Sequence, residues 1–285
     1  MKSIFLVLLF TSFINMRAQE VKRPPVWGIA RMTFLVSDFE NARSYYGRFL
    51  GFDECFSYMN AGTEVICFKV NDRQFLEFIQ DRDCVGKTRL VSLSFETDDI
   101  EQMRIYLRSE GVEVPESVTT DGAGNDIIKV TDPSGNQIEF IQYKPASLHR
   151  KSEGRCLSEN RISRRIHHAG LYSEKVMDND PFYAGILNFK EMWRYPESRD
   201  IDPAFLYLVM PECTENIELL NSGGPNTGHP CLLVDDMQET IYTLRMRRLN
   251  EVINNPSIGR GNRWLLNITD PDNNKVEFTE AHTVR

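Results

Sequence analysis

From Gly28 the chain alternates apolar runs of strand period with an amphipathic run of helical period, and then repeats the pattern. GIARMTFLVSD (28–38) reads as a strand. ENARSYYGRFL (40–50) places Ala42, Tyr46, Phe49 and Leu50 on one face with Phe39, so a helix is predicted there. Ser37 followed by Glu40 has the form of a capping box at its start. Three strand-like runs follow: FDECFSYM, TEVICFKV and RQFLEFIQ. The pattern restarts at Leu90 with LVSLSFET, continues through the helical IEQMRIYLRSEG, and ends in the strand-like NQIEFIQY. Residues 27–143 therefore read as two βαβββ units.

The second half repeats the first. LGFDE (50–54) is answered by LNFKE (187–191), an offset of 137 residues (187 − 50). Tyr46 and Tyr183, TDDIEQ (97–102) and VDDMQE (234–239), and Gly124-Asn125 and Gly261-Asn262 keep that offset. TDPSGNQIEF (131–140) returns as TDPDNNKVEF (269–278), one position further on. Matches in register over a hundred residues are a duplication. Residues 164–281 are thus two more βαβββ units, and residues 144–163, rich in Lys, Arg, Ser and Glu, read as the linker. The fold class expected is α+β.

Composition narrows the function. An apolar content of 41% over 285 residues supports a large core without help from disulfides. A net charge of −8 with no basic patch argues against a nucleic-acid partner. Residues 1–18 have the form of a signal peptide: Lys2, an apolar run at 4–14 too short to span a bilayer, and Ala18 before Gln19. Export, periplasmic or secreted, is expected, with no membrane span after its removal. Cys55 and Cys67 flank a predicted turn at Asn60-Ala61-Gly62 and would face each other in a hairpin. A bridge is open to them, and buried free thiols are the reading adopted.

Four βαβββ units, with D-P-x-x-N-x-(I/V)-E-F closing the second and fourth, resemble the vicinal oxygen chelate superfamily of glyoxalases, epimerases, extradiol dioxygenases and bleomycin-resistance proteins. The resemblance spans about residues 27–281. It implies paired units curled into two half-barrel cups, with a metal held by the first and last strands of each unit. By that likeness the ligand places of the second half hold His168, Glu218, His229 and Glu277. Two imidazoles and two carboxylates suit one divalent Zn, Ni, Co, Mn or Fe. His167 alternates to the other strand face and is left out. The matching places of the first half hold Arg31, Glu77, Ser92 and Glu139. Arginine cannot ligate a metal, so this half is expected to be a metal-free cup in which Arg31 replaces the ion's charge. Pairing the units one with two and three with four gives one complete site; crossed pairing gives none.

The resemblance implies an enzyme of glyoxalase or epimerase type: an isomerase or lyase acting on a small oxygenated substrate through a metal-stabilised enediolate, with Glu277 or Glu218 carrying the proton. Arg260, Arg263, Tyr172 and Trp193 are candidates to meet the substrate. An extradiol dioxygenase using Fe(II) is the first alternative. It expects an acid–base histidine between the two ligand histidines, and residues 169–228 contain none. A ligand-binding protein without chemistry is the second alternative, and the complete quartet speaks against it.

Overall fold

A computed structural model describes residues 21–84, 89–225, 227–247 and 253–284. The expected signal peptide, 1–18, lies outside the described residues. The first half forms β1 (Gly28–Val36), β2 (Asp53–Asn60), β3 (Thr63–Lys69), β4 (Phe75–Gln80), β5 (Leu90–Glu96), β6 (Thr119–Thr120), β7 (Asp126–Thr131) and β8 (Gln137–Gln142). They make one sheet in the order β2-β3-β4-β1-β5-β8-β7-β6. The second half forms β9 (Ile166–Tyr172), β10 (Lys190–Tyr195), β11 (Phe205–Val209), β12 (Asn216–Leu220), β13 (Gly228–Val234), β14 (Ser257–Ile258), β15 (Trp264–Thr269) and β16 (Lys275–Glu280). Their order, β10-β11-β12-β9-β13-β16-β15-β14, is that of the first sheet strand for strand. Units one and two therefore share one sheet, and units three and four the other, as the placing of the candidate ligands required.

The predicted first helix is α1 (Phe39–Ala42), continued by a π-helical stretch, Arg43–Phe49. Its cap is Asp38, not Ser37: the Asp38 side chain accepts the Glu40 backbone N–H. Ser37 is used elsewhere, its own N–H donating to Asp272 of the second half at 3.0 Å. α2 (Ile100–Ser109) buries Ile100, Met103, Tyr106 and Leu107, the amphipathic spacing of its sequence. One continuous apolar cluster runs through both halves, with Phe95 edge-on to Phe189 at 5.6 Å between ring centres.

The duplicated D-P-x-x-N turns join the halves reciprocally. Asp132 accepts from Tyr183 at 2.8 Å, and Asn136 donates to the Tyr172 carbonyl at 2.9 Å. Asp270 accepts from Tyr46 at 3.2 Å, and Asn274 donates to the Leu35 carbonyl at 3.0 Å. Burial pushes both aspartate carboxyls up, against the hydrogen bonds that favour their charge. Burial also keeps both tyrosines protonated, as donors.

Residues 144–163, which connect the two sheets, also pack against the first half. They carry α3 (Leu148–Lys151), and His149, at 1% exposure, fills the first cup between Phe75 and Tyr143. The fully buried Lys69 ammonium donates to the Ser152 and Arg155 carbonyls. A disulfide joins Cys55 to Cys156, and Cys67 is a buried free thiol. The β2–β3 pairing skips Cys55 at an irregularity between Glu54 and Phe56, so Phe56, not Cys55, stands opposite Cys67.

Each clasp is expected to bear on the whole fold. Tyr183→Phe leaves the buried Asp132 short of a donor and should cost about 1–3 kcal/mol in urea denaturation, with Tyr46→Phe similar. No measurable loss in either variant would show that the clasps do not hold the halves together.

Candidate metal centre

β9 brings His168, β12 Glu218, β13 His229 and β16 Glu277, and these four strands are neighbours in the second sheet. His168 Nε2 lies 3.6 Å from Glu218 Oε2 and 3.4 Å from Glu277 Oε1. His229 Nε2 lies 3.2 Å from Glu218 Oε2 and 3.6 Å from Glu277 Oε2. One ligand atom from each residue falls within 4.8 Å of the other three. All four side chains are buried, and His168 Nε2, His229 Nε2, Glu218 Oε2 and Glu277 Oε1 have no hydrogen-bond partner. Buried polar atoms are nearly always bonded, so four orphans facing one another mark the place of a cation. A single divalent metal fits this donor set.

The charges fit too. Burial opposes ionisation of Glu218, but the His168 and His229 imidazoles outweigh it and hold its carboxyl well below the usual range. The same contest, with Lys275 adding to the imidazoles, brings Glu277 to about 2. Burial lowers His229, helped by Lys275. Burial works against a charged His168 as well, but Cys231 and both glutamates overcome it and raise its pKa. The favoured proton on His168 does in part what a divalent ion would do in full.

Gly170 makes the site sterically accessible. It stands opposite His229 across the β9–β13 pair, and a Cβ there would lie 2.0 Å from His229 Cε1. Tyr207, opposite Glu218 on the neighbouring strand, donates its hydroxyl to Glu218 Oε1 at 2.6 Å. Lys275 Nζ sits 3.1 Å from Glu277 Oε2. His167 stays outside the quartet but lines the same cavity, where it accepts from Arg263 Nη1 at 3.2 Å. Burial brings His167 down to about 3, so it is neutral and free to accept. The cavity has a volume of about 860 Å³. Of the sequence-based candidates for meeting substrate, Arg260, Arg263 and Trp193 line it and Tyr172 does not.

Residues 28–140 match the family described as the Glyoxalase/Bleomycin resistance protein/Dioxygenase superfamily. The chain carries the vicinal oxygen chelate fold in its tandem, four-module form. Among solved structures, it is similar to homoprotocatechuate 2,3-dioxygenase from Arthrobacter globiformis, at 18% identity and a TM-score of 0.69, covering 92% of this chain and 82% of that one. The 2,3-dioxygenase LapB from Pseudomonas sp. KL28 is 15% identical with a TM-score of 0.70, covering 93% and 96%. The Mn(II)-bound glyoxalase from Novosphingobium aromaticivorans is 18% identical with a TM-score of 0.68, covering 90% and 83%. At such identities the likeness is one of fold. No curated protein sequence matches the chain.

The first cup is built differently on the same frame. Arg31 is 3% exposed and lies among three carboxylates: Glu139 at 2.6 Å, Asp121 at 3.0 Å and Glu77 at 3.3 Å. Tyr58 and Ser94 complete its shell. Ser92, the place matching His229, is not among these partners and pairs with Thr33. Where the second cup sets a glycine against a large imidazole, the first sets two small hydroxyl residues against each other. His149 Nε2 reaches Glu77 Oε1 at 3.2 Å, and burial lowers its pKa. Glu77 is buried too, which opposes ionisation, but Arg31 and His149 bring its carboxyl to about 2.

Sequence reasoning missed Tyr207, Lys275 and His149 as parts of the two clusters. Tyr207 and Lys275 act across or along strands whose register the pattern leaves open. His149 sits in a helix of four residues, too short for periodicity to show.

Elemental analysis after chelation and re-loading should find one divalent ion per chain, lost when His168 and His229 are both replaced by Ala. Gly170→Ala should keep the fold yet weaken metal affinity by roughly 10–100-fold, because the imidazole must move. For Arg31→Ala, a loss of about 3–5 kcal/mol is expected, since buried carboxylates are left uncompensated. Glu77 titrates lower when folded than its ordinary 4.5, so its stabilisation is present above that value and fades as pH falls towards about 2. The stability gap between the native protein and Glu77→Gln, roughly 3 kcal/mol at neutral pH, should therefore close from about pH 4.5 downwards. A gap independent of pH would contradict a charged Glu77.

Proposed function

We propose that the second cup holds one divalent metal through His168, Glu218, His229 and Glu277 and catalyses proton transfer at a carbon beside a carbonyl. The reaction is of isomerase, epimerase or lyase type, on a small oxygenated substrate. The observation that carries this reading is the convergence of four unpartnered ligand atoms, Glu218 included, at the floor of an accessible cavity. When bound, the ion acts as a Lewis acid and makes the neighbouring C–H more acidic.

The chain supplies the base. Glu218 is pinned by the Tyr207 hydroxyl, a short buried hydrogen bond from a rigid ring. Glu277 is held by Lys275, whose flexible side chain is 36% exposed and can follow it. We therefore assign the moving proton to Glu277 and an anchoring role to Glu218.

An exported location rests on the apolar run at residues 4–14 and Ala18, and the Cys55–Cys156 bridge agrees with an oxidising compartment. The dioxygenase reading has the fold in its favour, since homoprotocatechuate 2,3-dioxygenase and the 2,3-dioxygenase LapB are among the similar structures. Glu218 as a fourth donor, and the lack of histidine across residues 169–228, weigh against it.

The test is to incubate metal-loaded protein with carbonyl and sugar-derived compounds in heavy water and to follow deuterium at carbon by NMR. Exchange is expected, and Glu277→Gln should lower it by about 10²-fold or more. Oxygen uptake with catechols would move the case to the dioxygenase reading. Tight ligand binding without exchange would move it to a binding protein.

A further inference from the structure

The second cup is lined by aromatic rings and by basic side chains. Trp193 and Tyr195 lie two residues apart on β10 with ring planes 25° apart, and Tyr207 meets Trp193 across the strand pair at 5.4 Å. Trp193 and Tyr207, tilted 50° to each other, offer apolar ring faces to the cavity. Arg260, Arg263 and Lys275 line it as well. Among the described residues that line the cavity, Glu218 and Glu277 are the acidic ones, both already facing the metal place. Lys275 pairs with Glu277 at 3.1 Å, which leaves Arg260 and Arg263 as the basic lining residues without a carboxylate partner among the described residues. Neither Arg260 nor Arg263 forms an ion pair among the described residues. Arg260 packs over Tyr195 at 4.9 Å. Arg263 gives one N–H to His167, and this bond holds the guanidinium in the wall with its other donors unspent.

The floor carries a third signal. Asn216 is 1% exposed, lines the cavity, and has neither its side-chain nitrogen nor its oxygen hydrogen-bonded. It stands opposite His168 on the neighbouring strand and two residues before Glu218, on the face that bears both ligands. A buried amide with both ends unsatisfied is costly unless a ligand completes it. A substrate hydroxyl or carbonyl oxygen beside the metal would do so.

We propose that the second cup is specific for a ring-bearing, oxygenated anion: the ring on Trp193 and Tyr207, the anionic group on Arg263, and an oxygen substituent on Asn216. This rests on the metal-centre reading for the orientation of the substrate, but not for its charge or its ring. A carboxylate suits Arg263 best, because a planar fork pairs with it in two parallel hydrogen bonds. The ring is either aromatic or a sugar, since both present a flat apolar face.

Calorimetric titration of the zinc-loaded full chain decides between these outcomes. Mandelate and its neutral counterpart 1-phenyl-1,2-ethanediol form the aromatic arm; glucuronate and glucose form the sugar arm. Metal content is measured on the same samples. In at least one arm the acid should bind about ten-fold or more tighter than its neutral partner. Arg263→Gln should abolish that preference. Asn216→Ala should weaken acid and neutral ligand alike while leaving metal content unchanged. Equal binding of acid and neutral ligand in both arms, no binding of either acid, or a preference that survives Arg263→Gln would overturn the proposal. If the protein takes up no zinc but the acid preference and its dependence on Arg263 remain, the metal-centre reading fails and this proposal stands. If zinc is bound and the preference is missing, only this proposal fails.

Discussion

Everything in this molecule hangs from the buried hydrogen bonds between each D-P-x-x-N turn and the opposite half. Asp132 and Asn136 grip Tyr183 and the Tyr172 carbonyl; Asp270 and Asn274 grip Tyr46 and the Leu35 carbonyl. Leu35, next to last in β1, and Tyr172, the last residue of β9, belong to the central strands that carry Arg31 and His168. The turns also lead into β8 and β16, which carry Glu139 and Glu277. The contact that joins the halves thus sets the registry of the strands that build each cup. Because the bonds are buried and come in a reciprocal pair, neither half can shift without breaking its partner's clasp as well as its own.

On that shared frame one electrostatic problem is solved twice. Buried carboxylates gathered at the floor of a cup demand positive charge. The first cup supplies it covalently, as the Arg31 guanidinium, and closes over it with His149 and the chain that follows. The second leaves the demand open, with ligand atoms that lack partners and a cavity above them. A buried arginine among carboxylates and a metal place are two answers to one arrangement of strands, and the sheets differ little elsewhere.

Much of this was legible before the coordinates. Repeats in fixed register expose a duplicated fold, because strand period and turn chemistry are local properties. The quartet of His168, Glu218, His229 and Glu277 could be located once the units were aligned, and the place of Arg31 among the carboxylates of the first cup could be read from the same alignment. What stayed hidden depends on contacts that local pattern does not encode. Ser37 and Asp38 are both good caps, and only the backbone path chooses between them. Residues 144–163 look like a linker by composition, yet they bury His149, Ser147 and Ser152 because a cup lay open beside them. Cys55 finds Cys156 instead of Cys67 through an irregularity in strand pairing. Asn216 reads as an ordinary strand-edge residue until its neighbours are known.

The opposed pair at the centre of each sheet also bears on how readily one cup could be converted into the other. In the second sheet Gly170 yields space to His229; in the first, Thr33 and Ser92 share that space. A quartet like that of the second cup could form in the first only if Arg31 and Ser92 both became ligands, Thr33 lost its side chain, and His149 with the chain around it withdrew. Each change alone would open a cavity, strand a buried charge or crowd an imidazole. The two cups are therefore separated by several substitutions that are each costly alone, so neither converts into the other by single steps.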